Sequence, residues 1–151
     1  MALWKDFAAA APDLAAYGEA RFNRSRVAFV ATISQDGSPR CNPVEPVICH
    51  GRLLLFIEPT SPKADDLRRE GRYAMHSLVD NVSGVGGEFS IKGRAIPIDD
   101  PAMREKAVDA ACYTPPDEYE LFELTVEAAL ARDFEEGRMA ANRWDEALAP
   151  V

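Results

Sequence analysis

A serine, a proline and a lysine stand close together where a helix is predicted to begin, in the segment Glu58–Leu67 (EPTSPKADDL). Serine is a favoured N-cap and proline is tolerated at the first helical position, so Ser61 and Pro62 are predicted to fill those two places. Lys63 is unfavourable there, because its cation opposes the positive end of the helix dipole. A bound anion would remove the conflict, since backbone N–H groups, a hydroxyl and an ammonium would converge on it. The alternative is an ordinary Ser-Pro cap with a solvated lysine.

The residue types that bind metals or act as nucleophiles show no recognisable spacing. Cys41, Cys49 and Cys112 are odd in number and lack C-x-x-C spacing, and His50 and His76 have no cysteine or histidine neighbours at ligand spacing. The sequence therefore predicts no metal site, no disulfide framework and reduced thiols in a cytoplasmic protein. No Ser-His-acid or Cys-His arrangement stands out either, so no catalytic residue is identified.

Bulk composition limits the class of protein. The chain has 151 residues, 47% of them apolar, and a formal net charge of −8. This length and composition predict one folded domain over residues 1–151 with a single core. The negative charge argues against a nucleic-acid surface, and the absence of a long apolar run argues against a membrane-spanning segment.

The elements that must position Ser61 and Lys63 begin with helices. Residues 1–23 are alanine-rich, with apolar residues at four-residue spacing, and predict one or two amphipathic helices. Val27–Ile33 is rich in β-branched and aromatic residues, and the Asp36-Gly37 pair after it predicts a hairpin. The second strand, Arg40–Cys49, contains two prolines, which indicate an edge or bulged strand.

Further strands follow with only one more helix, Asp100–Cys112, between them. The predicted strands are Leu53–Ile57, Tyr73–Val79, Glu88–Ile98, Tyr119–Phe134 and Arg138–Trp144. Tight turns between most strands favour a mainly β protein with flanking helices (α+β), an antiparallel barrel of six or seven strands. Side chains fill the interior of so small a barrel, so we expect any cofactor to lie outside it or at a subunit boundary.

Several segments, taken in order, resemble one known family. These are VAFVATIS with its DGSPR turn, LLLFIEPTSPKADDLRREGRYAMHS and GGEFSIKGRA. From about Val27 to Gly93 the chain resembles the pyridoxamine-phosphate-oxidase-like, FMN-binding split barrels. The resemblance implies a split-barrel homodimer with the cofactor between protomers. It also implies that Ser61 and Lys63 hold the phosphate of FMN, which gives the predicted anion an identity.

The same resemblance places the second strand along the isoalloxazine ring. It implies that Arg40, Asn42, Pro43 and Val44 lie near the cofactor. The two-residue period of a strand puts Arg40, Asn42 and Val44 on one face. The alternative for Arg40 is a surface charge at the end of a hairpin.

Five more residues are implied at the cofactor. Phe56, Ile57 and Glu58 would line the flavin as the third strand ends, although Phe56 and Ile57 are equally core residues by type. Glu88 falls where relatives carry a polar residue that reaches the flavin of the partner subunit, and its alternative is a solvated carboxylate. Trp144 would cover the ring, or would anchor packing or a dimer interface.

The departures from the family limit the activity. Pyridoxamine-phosphate oxidases carry an Arg-Leu-His-x-Arg segment near the C-terminus for the substrate, and this chain has only EEGRMAANRWDEAL there. Asn42 also stands where those oxidases have an arginine. We therefore expect a flavin-dependent oxidoreductase with a small-molecule substrate other than pyridoxamine phosphate. The alternatives are a reductase that uses deazaflavin F420 and a non-catalytic protein that binds flavin or haem.

Overall fold

The computed structural model describes residues 1–80, 86–135 and 138–148. Two short helices open the chain, as the alanine-rich start predicts, and two more lie between strands. The helices are α1 (Trp4–Ala10), α2 (Pro12–Ser25), α3 (Pro62–Arg69) and α4 (Pro101–Ala110), with a 3-10 turn at Glu146–Leu148. Within these ranges, every helix is too short or too polar to span a bilayer.

The described strands form one antiparallel sheet. They are β1 (Ala28–Ile33), β2 (Pro39–Val44), β3 (Val47–Cys49), β4 (Arg52–Ile57), β5 (Arg72–Ser77), β6 (Glu88–Pro97), β7 (Glu120–Leu124), β8 (Ala128–Glu135) and β9 (Arg138–Asp145). Seven of them pair in the order β2-β1-β5-β6-β7-β4-β3, while β8 pairs with β6 and β9 with β8. The predicted mainly β split barrel with flanking helices is confirmed.

Two segments expected to be single strands each divide, which raises the number of strands. The segment Arg40–Cys49 divides at Glu45-Pro46, where the proline has no N–H for a ladder. Its halves, β2 and β3, stand at the two ends of the seven-strand path although only two residues join them. The sheet must therefore curl until its two end strands come close together. The gap between β2 and β3 is the opening that makes the barrel a split one.

The segment Tyr119–Phe134 divides between β7 and β8. At this point the Thr125 N–H donates to the carbonyl of Arg94 (2.8 Å), and the Arg94 N–H donates to the Thr125 hydroxyl (3.0 Å). The long strand β6 can then pair with β7 at its end and with β8 at its beginning. Gly93 lies where the Thr125 carbonyl leaves no room for a side chain, because an added Cβ would lie 2.1 Å from that oxygen.

The inward side chains of the barrel form the main hydrophobic core. Strand β6 shows the pattern, since Phe89, Ile91, Gly93 and Ala95 are buried while the residues that alternate with them are more exposed. A second, smaller cluster lies under α4 and contains Val47, Leu54, Phe56, Met103, Ala107 and Leu121. Consecutive residues of β4 thus face two different cores.

The opposite side of strands β2, β1 and β5 carries small and apolar residues. In the register, Phe29 lies opposite both Pro43 and His76, and Ala31 lies opposite both Cys41 and Ala74. We call the surface made by these six residues the outer face. Phe29 is 44% exposed, although large apolar side chains are mostly buried in this protein.

Candidate functional site

The start of α3 has the geometry that the sequence predicts. Ser61 is the N-cap, Pro62 is the first helical residue, and the Ser61 hydroxyl accepts a hydrogen bond from the Ala64 N–H (3.4 Å). The same hydroxyl donates to the carbonyl of Glu58 (2.7 Å). Gly71, with φ of +82°, ends the helix region at the other side. The cap is therefore confirmed, and the hydroxyl proton of Ser61 would have to turn away from Glu58 to reach a ligand.

Lys63 is the cation of this helix start. In the part of the chain that the structure describes, its ammonium has no ion-pair partner within 4.0 Å and its backbone N–H makes no hydrogen bond. The carboxylate of Glu58, the residue after β4, lies close enough to feel the charge of Lys63. Hydrogen bonds from Thr60, with a smaller effect from the Lys63 charge, hold the pKa of the Glu58 carboxyl below its usual value. The Glu58 carboxylate is thus turned onto Thr60, and Lys63 is left available to an anion.

Arg40 is joined to the same helix by an ion pair with Asp66, a carboxylate that sequence reasoning missed. Asp66 is 3% exposed and accepts hydrogen bonds from the Arg40 Nε (2.8 Å) and from the Thr32 hydroxyl (2.7 Å). Asp66 follows Lys63 by three residues, so both side chains lie on one face of α3. The signal was present in the sequence as a carboxylate at this spacing from Lys63, but only the fold shows that it is buried.

The charge state of Asp66 follows from these contacts. Burial alone would raise the pKa of its carboxyl, but the hydrogen bonds from Thr32 and Arg40 and the Arg40 charge outweigh burial and hold the pKa below its usual value. Asp66 is therefore ionised at neutral pH. Its negative charge holds the Arg40 guanidinium against α3, the helix that begins beside Lys63.

Strand β2 presents Arg40, Asn42 and Val44 on its inward face, as the two-residue period predicts. They lie opposite Thr32, Val30 and Ala28 of β1. The Asn42 side-chain nitrogen Nδ2 is buried and has no hydrogen-bond partner among the described residues. A buried donor without an acceptor costs about 1–3 kcal/mol, so this atom suits a ligand that brings a carbonyl oxygen or ring nitrogen. Pro43 lies on the other side of the strand, in the outer face.

Phe56 and Ile57 are buried and face opposite sides of β4. Ile57 belongs to the main core, whereas Phe56 lies in the cluster under α4 with the Arg104 guanidinium 5.2 Å from its ring centre. Both therefore have the packing role that their residue types allow. Any approach of a ligand to this strand end would be to its backbone or to Glu58.

Glu88 lies away from the start of α3, at the beginning of β6. Its carboxylate is 3.5 Å from His76 Nε2 and 3.8 Å from the Arg132 guanidinium. All three alternate with core residues of their strands, so they lie on the side of the sheet that carries the outer face. Glu88 therefore lies on the opposite side of the sheet from Arg40 and Asn42, and its predicted contact with the flavin of a partner subunit stays a prediction.

Trp144 packs against the first helix and the main core. Its ring centre is 5.2 Å from that of Phe7 in α1, and it contacts the main core. Its strand neighbour Ala129 is also buried. The predicted cluster therefore divides into Ser61, Lys63, Arg40 and Asn42 on one side, with Glu88 and Trp144 elsewhere.

A buried cation, Arg21, is a second residue that sequence reasoning missed. Its guanidinium donates to the carbonyls of Leu78 (2.7 Å) and Gly87 (2.8 Å) and pairs with Asp80. These contacts join α2 to the two ends of the segment between β5 and β6. Its position in an amphipathic helix carried no signal that distinguished it from a surface arginine.

The residues at the start of α3 fit the phosphate of FMN. A helix N-terminus and an ammonium without an ion-pair partner among the described residues supply the charge that a phosphate requires, and Arg40, paired with Asp66, borders the same helix. The unpartnered amide nitrogen of Asn42 supplies a donor for a flavin ring edge. Among the described residues, no group of three His, Cys, Asp or Glu side chains is placed to hold a metal ion.

A comparison with models of known protein families finds a match that includes these residues. The family model described as "Pyridoxamine 5'-phosphate oxidase" matches residues 17–133, which is more than half of the chain. No curated protein sequence matches it.

Similar solved structures share the fold at low sequence identity. A haem-binding protein from Mycobacterium smegmatis is 18% identical with a TM-score of 0.63, over 82% of this chain, which spans 56% of that protein. A pyridoxinephosphate oxidase family protein from Clostridium acetobutylicum is 12% identical (TM-score 0.63, 84% of this chain and 92% of that one). The haem storage protein HutZ from Vibrio cholerae is 14% identical (TM-score 0.56, 78% and 90%).

Proposed function

Because the chain belongs to the pyridoxamine 5'-phosphate oxidase family, we propose that it binds FMN between the subunits of a homodimer and acts as a flavin-dependent oxidoreductase on a small molecule. Bound FMN would supply the redox chemistry, and the residues of this chain would bind and orient it. The missing Arg-Leu-His-x-Arg segment argues against pyridoxamine phosphate as the substrate.

The arrangement at the start of α3 is the observation that carries the proposal. Lys63 is a cation at the positive end of a helix dipole, with no carboxylate partner among the described residues and Arg40 held nearby by Asp66. The Asp66 carboxylate already pairs with Arg40, so the excess positive charge at this place is that of Lys63 and of the helix N-terminus. A phosphate monoester carries up to two negative charges and accepts several hydrogen bonds, so it would offset this charge.

The outer face supports the homodimer. Phe29, Pro43 and Ala74 are exposed on it next to Ala31 and Cys41, which is the composition of an interface more than of a solvated sheet. No described helix lies over strand β2 on this side, because Pro43 and Cys41 remain exposed. A second copy would cover these residues and would bring its own Glu88 to the cleft.

Titration of the flavin-free protein with FMN and with riboflavin tests the proposed cofactor. The two flavins share the ring and differ in the phosphate. If the phosphate makes one charge-assisted contact worth about 1.5–3 kcal/mol, FMN binds about 10- to 150-fold more tightly than riboflavin. Equal affinities would show that the start of α3 does not bind the phosphate, whatever the ring does.

A haem-binding protein without flavin chemistry is the second candidate, and His76 favours it. The His76 Nδ1 lies 2.6 Å from the Ser77 carbonyl oxygen and donates to it, so Nε2 is the ring nitrogen that a metal could take. A histidine whose Nδ1 is held in this way is typical of metal ligands, and the Glu88 carboxylate, 3.5 Å from Nε2, would have to turn aside for a haem iron. The similar proteins from M. smegmatis and V. cholerae are both described as haem proteins.

Absorbance after addition of haemin separates the two candidates. The haem candidate requires a sharp Soret band that moves in His76→Ala. The flavin candidate requires only the broad spectrum of unbound haemin, the same in the wild type and in the variant. Absorbance of the purified protein also distinguishes FMN from deazaflavin F420, because their oxidised spectra differ.

A further inference from the structure

A recess of about 320 Å³ lies next to the outer face, across strands β6, β8 and β9. Its volume is at the lower end of the range for small-molecule sites. The lining residues that the strand register places on this side of the sheet are Ala74, Ser90, Lys92, Ala128, Leu130, Arg143 and Asp145. It is on the opposite side of the sheet from Arg40 and Asn42.

The strand register fixes where these side chains stand. Lys92, Ala128 and Asp145 form one row across the three strands. Ser90, Leu130 and Arg143 form the next row. Ala128 and Leu130 therefore make a flat, apolar floor, with a cation at each of two diagonal corners. The Cα atoms of these cations are roughly 12 Å apart, from two strand spacings across and two residues along.

The two cations, Lys92 and Arg143, have no ion-pair partner within 4.0 Å in the described ranges. Other cations, such as Arg52 and Arg94, are paired with carboxylates. The one acidic group of the recess, Asp145, already accepts a hydrogen bond from the Ala147 N–H (2.9 Å). The recess is thus locally positive in a chain whose net charge is −8.

We propose that this recess binds a small organic anion with a flat apolar body, such as an aromatic carboxylate. The ring would lie on Ala128 and Leu130, and the carboxylate would contact Lys92 or Arg143, with the Ser90 hydroxyl as a further donor. Long flexible side chains at both corners can converge on one anionic group above the floor. The recess uses none of the residues at the start of α3, so benzoate binding can be measured on the flavin-free protein.

Titration of the flavin-free protein with benzoate, followed by the backbone amide signals in two-dimensional NMR, tests the proposal. Saturable shifts should concentrate on Ser90, Leu130 and Arg143 and their strand neighbours. Benzamide has the same ring without the charge and should bind at least tenfold more weakly, because it loses the charge-assisted contact.

Variants identify the groups responsible. Lys92→Gln combined with Arg143→Gln should weaken benzoate binding by at least tenfold. Lys92→Arg should retain it. Lys106→Gln removes an exposed cation on α4 and is the matched control, expected to bind benzoate as the wild type does. Both altered cations are exposed and unpaired among the described residues, so the double variant should fold, which its unchanged melting temperature would verify.

Three results would overturn the proposal. They are equal affinity for benzoate and benzamide, benzoate binding that the double variant retains in full, and shifts that fall outside strands β6, β8 and β9. A fourth result would also overturn it, namely no saturable binding up to about 20 mM benzoate. The dissociation constant would then be at least about twentyfold above 1 mM, too weak for the proposed contacts.

Discussion

Removal of the Asp66 carboxylate should destabilise the fold much more than removal of the Asp65 carboxylate next to it. Asp65 and Asp66 are consecutive residues of α3, but Asp66 is buried against Thr32 and Arg40, while Asp65 is exposed and, among the described residues, pairs only with Arg68. Asp66→Ala and Asp65→Ala thus remove the same group from the same helix in two different environments.

The magnitude follows from the contacts. In Asp66→Ala the hydroxyl of Thr32, a residue that is 1% exposed, loses its acceptor, which costs about 1–3 kcal/mol. The Arg40 side chain is 37% exposed and can turn toward water, so loss of its ion pair adds only about 1 kcal/mol. The free energy of unfolding should therefore fall by about 2–4 kcal/mol. Asp65→Ala should lower it by less than about 1 kcal/mol, because surface ion pairs contribute little.

Urea denaturation followed by circular dichroism measures both effects. The pH dependence has a defined sign, because the pKa of Asp66 is lower in the folded state. A lowered carboxyl pKa stabilises the fold above the unfolded value, near pH 4, and this stabilisation is lost as the pH falls through the folded pKa. The gap between the wild type and Asp66→Ala should then narrow below about pH 4. Equal losses in the two variants at pH 7, or a gap that widens in acid, would refute this reasoning.

Two further predictions concern the dimer and the barrel. Phe29→Glu should convert a dimer to a monomer in light scattering at micromolar protein, because the exposed Phe29 lies in the outer face, whereas Val79→Glu, at another exposed apolar residue, should leave the mass unchanged. A dimer that persists in Phe29→Glu would place the interface elsewhere. Gly93→Ala should destabilise the fold by about 3 kcal/mol or more, since the new Cβ would meet the Thr125 carbonyl oxygen, and a melting temperature within one or two degrees of wild type would contradict that contact.

The sequence was sufficient for the features that depend on neighbouring residues. The Ser61-Pro62 cap is confirmed because N-cap preference is local, and the hairpin from β1 to β2 follows from Asp36-Gly37. The alternation of Arg40, Asn42 and Val44 follows from strand geometry in the same way. The same local rules, applied to strands and turns, predicted a mainly β fold.

Features that depend on distant residues could not be predicted. Asp66 meets Thr32 and Arg40 only because α3 folds back over β1, so its burial left no mark in the sequence around it. Phe56 and Ile57 are consecutive apolar residues, and only the position of α4 shows that they face different cores. The breaks within Arg40–Cys49 and Tyr119–Phe134 depend on how the sheet curls.

Lys63→Ala, titrated with FMN and with riboflavin, tests the central claim most directly. Lys63 has no carboxylate partner in the described part of the chain and opposes the helix dipole, so its loss should leave the stability of the flavin-free protein unchanged or slightly higher. FMN affinity should fall by about 10- to 150-fold, while riboflavin affinity stays as in the wild type. Unchanged FMN affinity, or equal weakening toward both flavins, would contradict a phosphate at the start of α3 and return Lys63 to the role of a solvated surface cation.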